Sequence, residues 1–466
     1  MNESAPPLRP LIIDGVDAPG GLEPLEVTSP RDDRVLARMA SADAADVDRA
    51  VTAAHRALAG WSATPPLERA DLIRRYALAL DDIAGDVAAA VADEVGKPLA
   101  EAQAEVARAF EVAHHFAGEA ARIWSHHLPA DSIVTGSTVR PEPVGVVAAI
   151  TPWNFPVALV MWKLAPALAA GCTVVVKPAQ EAPLAAWMLV DAARTAGLPP
   201  GVVNIVTGDG PSIGEALATH PRVAKVAFTG SRRVAETIAS WAAPRLKHLS
   251  LELGGHGALV VLDDADLDVA VDVAAVQGYV NTGQACYAVN RVLLTPRTHD
   301  AFMERFRERF AQIPAGVMTT DRGRDRHVAF LEDARAHGAT VEGGQITDGR
   351  FVHPALVTGA GPGSRIADDE PFTPIVAIME LPDRAAQVAE ANRPDFGLVN
   401  YLCGTDHRAV METAARLRSG TVAVNGWRVV VPHAPYGGWR GSGLGTELGR
   451  PGLRAFLRYQ HLRVLG

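Results

Sequence analysis

From residue 144 onward the chain repeats one pattern: a short run rich in β-branched residues, then a longer stretch with helical spacing. The runs are 144–150, 173–176, 202–206, 223–228 and 249–253, and helical stretches fill the gaps after Pro156, Pro183, Pro211 and Ser231. Parallel neighbours need a crossover connection, usually a helix, so this alternation predicts right-handed βαβ units and a parallel sheet. A second alternating set follows at 291–294, 340–342, 375–380 and 421–424, with an Arg/Glu-rich helix over 299–312. It reads as a second α/β domain, joined to the first by a hinge at 252–257. The crevice between the two is the expected ligand site. Upstream, apolar residues at three- and four-residue spacing predict amphipathic, Ala-rich helices over 44–60, 66–95 and 98–123. The segments 123–140 and 456–464 read as exposed strands, and no internal repeat or low-complexity stretch is present.

At 466 residues the chain is too long for one small core, so two or three domains are expected. A net charge of −9 and the lack of any Lys/Arg-rich run argue against a nucleic-acid surface. Residues 143–177 are the most apolar region, but Pro152, Pro156, Lys163 and Pro166 interrupt it. That fits a buried strand–turn–helix and not a membrane span. The opening run Met1-Asn2-Glu3-Ser4-Ala5-Pro6-Pro7 has no basic stretch followed by an apolar one, so no secretory signal is expected. Three cysteines form no disulfide framework and fit a reducing cytoplasm. Cys172 and Cys403 lie in apolar, strand-like runs and read as core; Cys286 alone is flanked by Gly, Gln and Asn.

Three segments carry chemistry. Cys286 lies in Asn281-Thr282-Gly283-Gln284-Ala285-Cys286-Tyr287, Glu252 in Leu251-Glu252-Leu253-Gly254-Gly255, and Asn154 in Thr151-Pro152-Trp153-Asn154-Phe155-Pro156. A thiol, a carboxylate and an amide are the parts needed to make and hydrolyse a thioester. The thiol attacks as thiolate, positioned N–H donors stabilise the alkoxide that results, and a carboxylate activates water. These segments resemble, nearly residue for residue, the motifs of the NAD(P)-dependent aldehyde dehydrogenase superfamily, and the resemblance runs from the first tens of residues to the C-terminus.

The resemblance implies a Rossmann-like cofactor domain (1–122 and 143–252), a catalytic α/β domain (253–436) and a small oligomerisation extension (123–142 and 437–466). It implies a homodimer or homotetramer, a small aldehyde as substrate and no metal. It assigns Cys286 as nucleophile, Glu252 as base and Asn154 as the amide that joins the cysteine's own N–H around the alkoxide. Lys163 and Glu447 match residues of a proton path to the base; a buried Lys–Glu pair holding the domains together is the other reading.

For the cofactor, NAD+ or NADP+, the matching positions are Trp153, Lys177, Gln180, Gly210, Gly214, Phe228, Thr229, Gly230, Ser231, Leu253, Gly254, Glu370 and Phe372. Phe228-Thr229-Gly230-Ser231 reads as a strand end opening a helix whose free N–H groups face phosphate. Several positions depart from the family. Gln180 stands where Glu is common, Arg233 where an acid is common, Ala235 where Gly is usual, Thr446 for Arg and Arg440 for Lys. Gln180 removes the repulsion of a 2′-phosphate, so both dinucleotides stay open. The segment 315–327 is shorter than is typical and lacks a Gly-Pro loop.

The resemblance lines the aldehyde pocket with Phe155, Trp162, Ala285, Tyr287, Trp427, Arg428 and Tyr436, which favours a medium-sized hydrophobic or aromatic aldehyde. Arg428 suits either a substrate carboxylate, making the substrate a semialdehyde, or a surface ion pair. Two alternatives keep the fold: acyl transfer to coenzyme A, against which Glu252 counts, and a non-catalytic protein on the same scaffold.

Overall fold

The two alternating regions form two sheets in the computed structural model, which describes residues 6–129 and 134–465. The first sheet contains β1 (Leu11–Ile13), β2 (Val16–Ala18), β3 (Val146–Ile150), β4 (Thr173–Lys177), β5 (Val203–Ile205), β6 (Val223–Thr229) and β7 (His248–Glu252). The second contains β8 (Gly257–Val261), β9 (Val289–Leu294), β10 (Thr340–Gly343), β11 (Ala355–Thr358), β12 (Ile375–Glu380), β13 (Val399–Cys403) and β14 (Thr421–Val424). A two-residue strand, β15 (Gly443–Leu444), returns to the edge of the first, giving the order β15-β7-β6-β3-β4-β5-β1-β2; the second runs β10-β11-β12-β9-β8-β13-β14. β7, β6, β3, β4 and β5 pair in parallel, as the strand–helix alternation requires. β15 lies antiparallel on β7, so part of the segment expected to bridge subunits completes the cofactor sheet.

Helices α1 (Ala44–Ala63), α2 (Pro66–Asp82), α3 (Ala84–Val95) and α4 (Leu99–Ala120) precede β3. The single helix expected over 66–95 is two, because Ile83 (φ −107°, ψ 8°) leaves the helical region between them. Both halves are amphipathic, so spacing alone does not reveal the break. The crossover helix α5 (Ala158–Ala170) is buried along its whole length, with Lys163 its only charged residue. α6 (Leu184–Thr195), α7 (Gly210–Thr219) and α8 (Arg232–Ala242) are the remaining crossovers, and α9 (Leu267–Tyr279) joins β8 to the catalytic loop. Cys172 and Cys403 are buried core residues. Among the described residues, no helix is long and apolar enough to cross a membrane.

The exposed strands expected near both ends of the chain pair with each other: Val134–Pro143 lies antiparallel to Leu457–Leu465. Residues 130–133 of the first expected segment lie outside the described residues. Tyr459, Leu462, Val464 and Leu465 leave apolar surface exposed on this arm.

Between the sheets the chain passes from β7 to β8 through Leu253-Gly254-Gly255-His256. A Cβ on Gly254 would lie 2.1 Å from Glu370 Oε2, and one on Gly255 would lie 2.2 Å from the Cys286 carbonyl oxygen. The glycines let the connection run directly behind the sulfur-bearing loop. Gly255→Ala is therefore expected to displace that loop and destabilise the protein by about 1–3 kcal/mol, read as a fall in Tm together with lost turnover. An unchanged Tm with full turnover would show that the loop does not depend on this contact.

Candidate active site

The loop before Cys286 turns left-handed. Asn281 (φ 48°, ψ 39°) and Thr282 (φ 57°, ψ 40°) both adopt that conformation, and Gly283 (φ 69°) continues it. Such a conformation costs a non-glycine residue about 1–2 kcal/mol, so the surroundings must hold it. The Asn281 N–H donates to Glu101 Oε2 at 2.8 Å, and its side-chain amide donates to the carbonyls of Asn154 (3.0 Å) and Gln284 (3.3 Å). Gln284 Nε2 donates to the carbonyls of Asn281 (2.9 Å) and Val317 (3.2 Å), and its Oε1 accepts from the Thr319 N–H (3.0 Å). Gly283 is fixed by its neighbours as well, since a Cβ there would sit 2.2 Å from the Thr373 carbonyl oxygen.

Asn154 reaches this loop from the connection between β3 and α5. Its Nδ2 donates to the Gln284 carbonyl at 3.0 Å, which uses one of the two amide N–H groups. Its own carbonyl accepts from Lys97 Nζ at 2.8 Å. Lys97 forms a fully buried ion pair with Glu105 Oε2 at 2.6 Å. Glu105 Oε1 accepts the N–H groups of Val157 (3.0 Å) and Ala158 (3.2 Å), where the uncapped start of α5 favours a negative charge.

A cleft of about 300 Å³ opens beside Cys286, walled by Trp153, Asn154, Thr229, Gly230, Ser231, Leu253, Gly254, Glu370 and Phe372. Ser231 precedes α8 without a side-chain cap, so the first N–H groups of that helix stay open to an anion at the cleft wall. Gly230 allows the turn, because a Cβ there would lie 2.4 Å from the Phe228 ring. Glu370 accepts the Gly255 N–H at 3.0 Å; burial pushes its carboxyl up to about 7, against the pull of that N–H and of Arg326. Trp153 and Phe372 meet edge-on at 5.9 Å. Lys177, Gly210 and Gly214 sit at the ends of β4 and β5 and along α7, with Lys177 Nζ 3.7 Å from where a Gly210 side chain would begin. Burial lowers the Lys177 ammonium to about 8, while Glu181 and Asp209 oppose the shift. Gln180 is exposed beyond the cleft, and the carboxylates that act on Lys177 are Glu181 and Asp209. An open helix N-terminus, a buried carboxylate and an aromatic wall fit a dinucleotide.

Behind Cys286 lies an acidic cluster. Glu252, buried at the end of β7, accepts the Gly438 N–H through Oε2 at 3.3 Å, and its Oε1 is buried without a partner. Lys163 Nζ donates to Glu447 Oε1 and to Thr229 Oγ1, each at 2.6 Å. Burial holds the Glu252 carboxyl well above the usual range; the Glu447 charge adds to this and Lys163 opposes it. Burial also pushes the Cys286 thiol up to about 12, eased by a contact of 3.6 Å with the Tyr436 hydroxyl and reinforced by the negative charges of Glu370 and Glu252.

On its other side Cys286 faces a narrow pocket of about 40 Å³ lined by Phe155, Leu159, Trp162, Tyr287 and Val430. Phe155 packs on Tyr287 at 5.6 Å and Trp162 on Tyr436 at 5.1 Å. Ala285 is buried. Trp427 and Arg428 are exposed on the neighbouring loop, and Val430 is the residue of that loop that lines the pocket. The sequence reading missed Glu105 and Arg108, which α4 contributes to the same pocket. Their signal was a charged Glu105 beside the apolar stripe Ala102, Val106 and Ala109. It also missed the short 315–327 segment as a structural part: Thr319 bonds to Gln284 and to the Val95 carbonyl (2.6 Å), while Met318, Thr320 and Arg322 wall the cleft.

Beside two α/β sheets, a cysteine thus lies on the walls of both a cleft with an open helix N-terminus and an aromatic pocket, an arrangement suited to an oxidoreductase. The model of the aldehyde dehydrogenase family matches residues 17–462, and the chain belongs to that family. It is similar to a glutarate-semialdehyde dehydrogenase of Pseudomonas putida, 35% identical over 96% of each chain. The structure of an NADP-dependent enzyme from E. coli superposes with a TM-score of 0.96 at 32% identity, covering 98% of both chains. A betaine aldehyde dehydrogenase from Staphylococcus aureus, solved in complex with NAD+, gives 0.95 at 30% identity over 98% of this chain and 94% of that one.

Lys97→Met would leave Glu105 buried and unpaired, an expected cost of about 3–5 kcal/mol, measured by chemical denaturation. A loss under about 1 kcal/mol, as for an exposed pair, would mean that this ion pair does not anchor Asn154.

Proposed function

We propose that the protein oxidises an aldehyde with an apolar body to its carboxylic acid through a covalent intermediate on Cys286, and that Glu252 activates the hydrolytic water. The observation that supports this most directly is the position of Cys286 on the walls of both the 300 Å³ cleft and the 40 Å³ aromatic pocket. An aldehyde entering the aromatic pocket meets the sulfur from one side while the dinucleotide cleft meets it from the other. Phe155, Trp162, Tyr287 and Val430 exclude water around the substrate body.

Cys286 releases its proton to solvent in the cleft and adds as thiolate to the carbonyl carbon, forming a C–S bond and an alkoxide while the C=O π bond opens. The second Asn154 N–H and the Cys286 backbone N–H stabilise that charge where it develops. A dinucleotide bound in the cleft supplies the acceptor for the hydride that leaves as the alkoxide collapses to a thioester. Ionised Glu252, through its unpartnered Oε1, then takes a proton from water. The hydroxide adds to the thioester carbon, the C–S bond breaks and the acid departs. The presence of that carboxylate favours water over coenzyme A as the acyl acceptor.

Lys163 and Glu447 act on the base electrostatically: the ammonium favours the ionised form of Glu252 and the carboxylate disfavours it. For the arm, we propose the exposed Leu457–Leu465 edge as the contact that builds a homodimer or homotetramer, since an open apolar edge strand is a template for pairing.

Absorbance of reduced nicotinamide with NAD+ or NADP+ and a panel of apolar and carboxylated aldehydes tests the reaction. Cys286→Ala is expected to abolish turnover with dinucleotide binding retained, and Glu252→Gln to give a burst of reduced cofactor followed by slow turnover. Normal turnover in Cys286→Ala would overturn the mechanism. Because burial and the Glu447 charge raise the Glu252 carboxyl, deacylation is expected to rise with pH as that group ionises. In Glu447→Gln the loss of a neighbouring negative charge lowers the Glu252 pKa, so the rise moves to lower pH; a shift to higher pH would sink the electrostatic role.

A further inference from the structure

The aromatic pocket has one feature that an apolar aldehyde leaves unused. Its walls from α5 and the 427–431 loop are apolar: Phe155, Ala158, Leu159, Trp162 and Val430. Its wall from α4 carries Glu105 and Arg108. Glu105 is spent, because both its oxygens are bonded to Lys97, Val157 and Ala158. Arg108 is exposed and makes no hydrogen bond or ion pair among the described residues. Glu101, a carboxylate of the same helix that feels the Arg108 charge, is engaged by the Asn281 N–H at 2.8 Å. Tyr287 shares the pocket wall with Arg108, and its ring lies against Phe155.

We propose that Arg108 recognises an anionic group at the far end of the substrate, so that the preferred aldehydes are ω-oxo acids: an aldehyde at Cys286, an apolar spacer against the aromatic walls and a carboxylate at Arg108. This rests on the aldehyde-oxidising reading above and adds the substrate class. The guanidinium provides a rigid fork of donors that matches a carboxylate in two parallel hydrogen bonds. Between the two ends the walls offer little to a polar spacer, which loses water there without regaining hydrogen bonds. The sequence pointed to Arg428 for this task, but that side chain is exposed outside the pocket, and the helix supplies the cation instead. The glutarate-semialdehyde dehydrogenase to which the chain is similar acts, by its name, on an aldehyde of this charge type.

The test compares a short-chain ω-oxo acid with its own methyl ester, which keeps length and shape and removes the charge. For the wild-type enzyme kcat/KM is expected to favour the acid by roughly ten- to hundredfold, the range of a charge-assisted hydrogen-bond pair. Arg108→Gln is expected to bring the acid-to-ester ratio close to one, through the KM of the acid, and Arg108→Lys to restore part of it. Raising the salt concentration is expected to shrink the wild-type preference, because the site opens to solvent. Good oxidation of the ester with no preference for the acid would overturn this proposal and leave the aldehyde reading standing. Retention of the preference in Arg108→Gln would also overturn it. Oxidation of neither compound would overturn both.

Discussion

The site depends on a backbone that turns left-handed through Asn281, Thr282 and Gly283 to deliver Cys286 between two cavities. Bonds between Asn281 and Gln284 give that turn its local support. It persists because groups from four separate parts of the chain converge on it: Glu101 of α4, Asn154 after β3, Val317 and Thr319 of the short segment, and Thr373 packed against Gly283. Strain of this kind survives only where the surroundings over-determine it. The convergence fixes the sulfur and the Asn154 amide relative to each other, which reaction at a carbonyl carbon demands.

A second constraint is the cost of burying charge. Lys97–Glu105 and Lys163–Glu447 are placed in the interior as pairs, and each also bonds to a backbone or hydroxyl group that the site needs held. Cys286 and Glu252 have no such counter-charge in direct contact, and burial raises the pKa of both groups. A buried ionic frame thus surrounds the thiol and the carboxylate, with the Asn154 amide bonded to the Gln284 carbonyl and the Tyr436 hydroxyl beside the sulfur.

Two departures from the family pattern have a visible structural meaning. The shortened segment does not leave a gap; Thr319 ties it to Gln284 and to the end of α3, and Arg322 and Arg326 face the cleft from the helix that follows. Gln180 lies exposed, so the charge near the buried Lys177 comes from Glu181 and Asp209 instead. That leaves the adenosine end of the cleft without a carboxylate at the position where the family commonly places one.

The sequence by itself determined the strand–helix alternation, hence the parallel cores of the two sheets, because burying both faces of a strand and connecting it by a helix leaves a pattern along the chain that needs no tertiary knowledge. It also singled out Cys286, Asn154 and Glu252 as the thiol, amide and carboxylate on which the proposed reaction rests, since they lie in segments whose residue types have no common structural use together. It did not reveal the break at Ile83, because two amphipathic helices in line share one periodicity. Nor did it reveal that β15 closes the first sheet, because a two-residue strand has no pattern. The left-handed turn, the Lys97–Glu105 pair beneath Asn154, and the presence of Arg108 in place of Arg428 on the pocket wall were decided only by tertiary structure. Each of these depends on which side chains meet across distant elements, and a linear chain specifies its residues' chemistry but not their neighbours until it is packed.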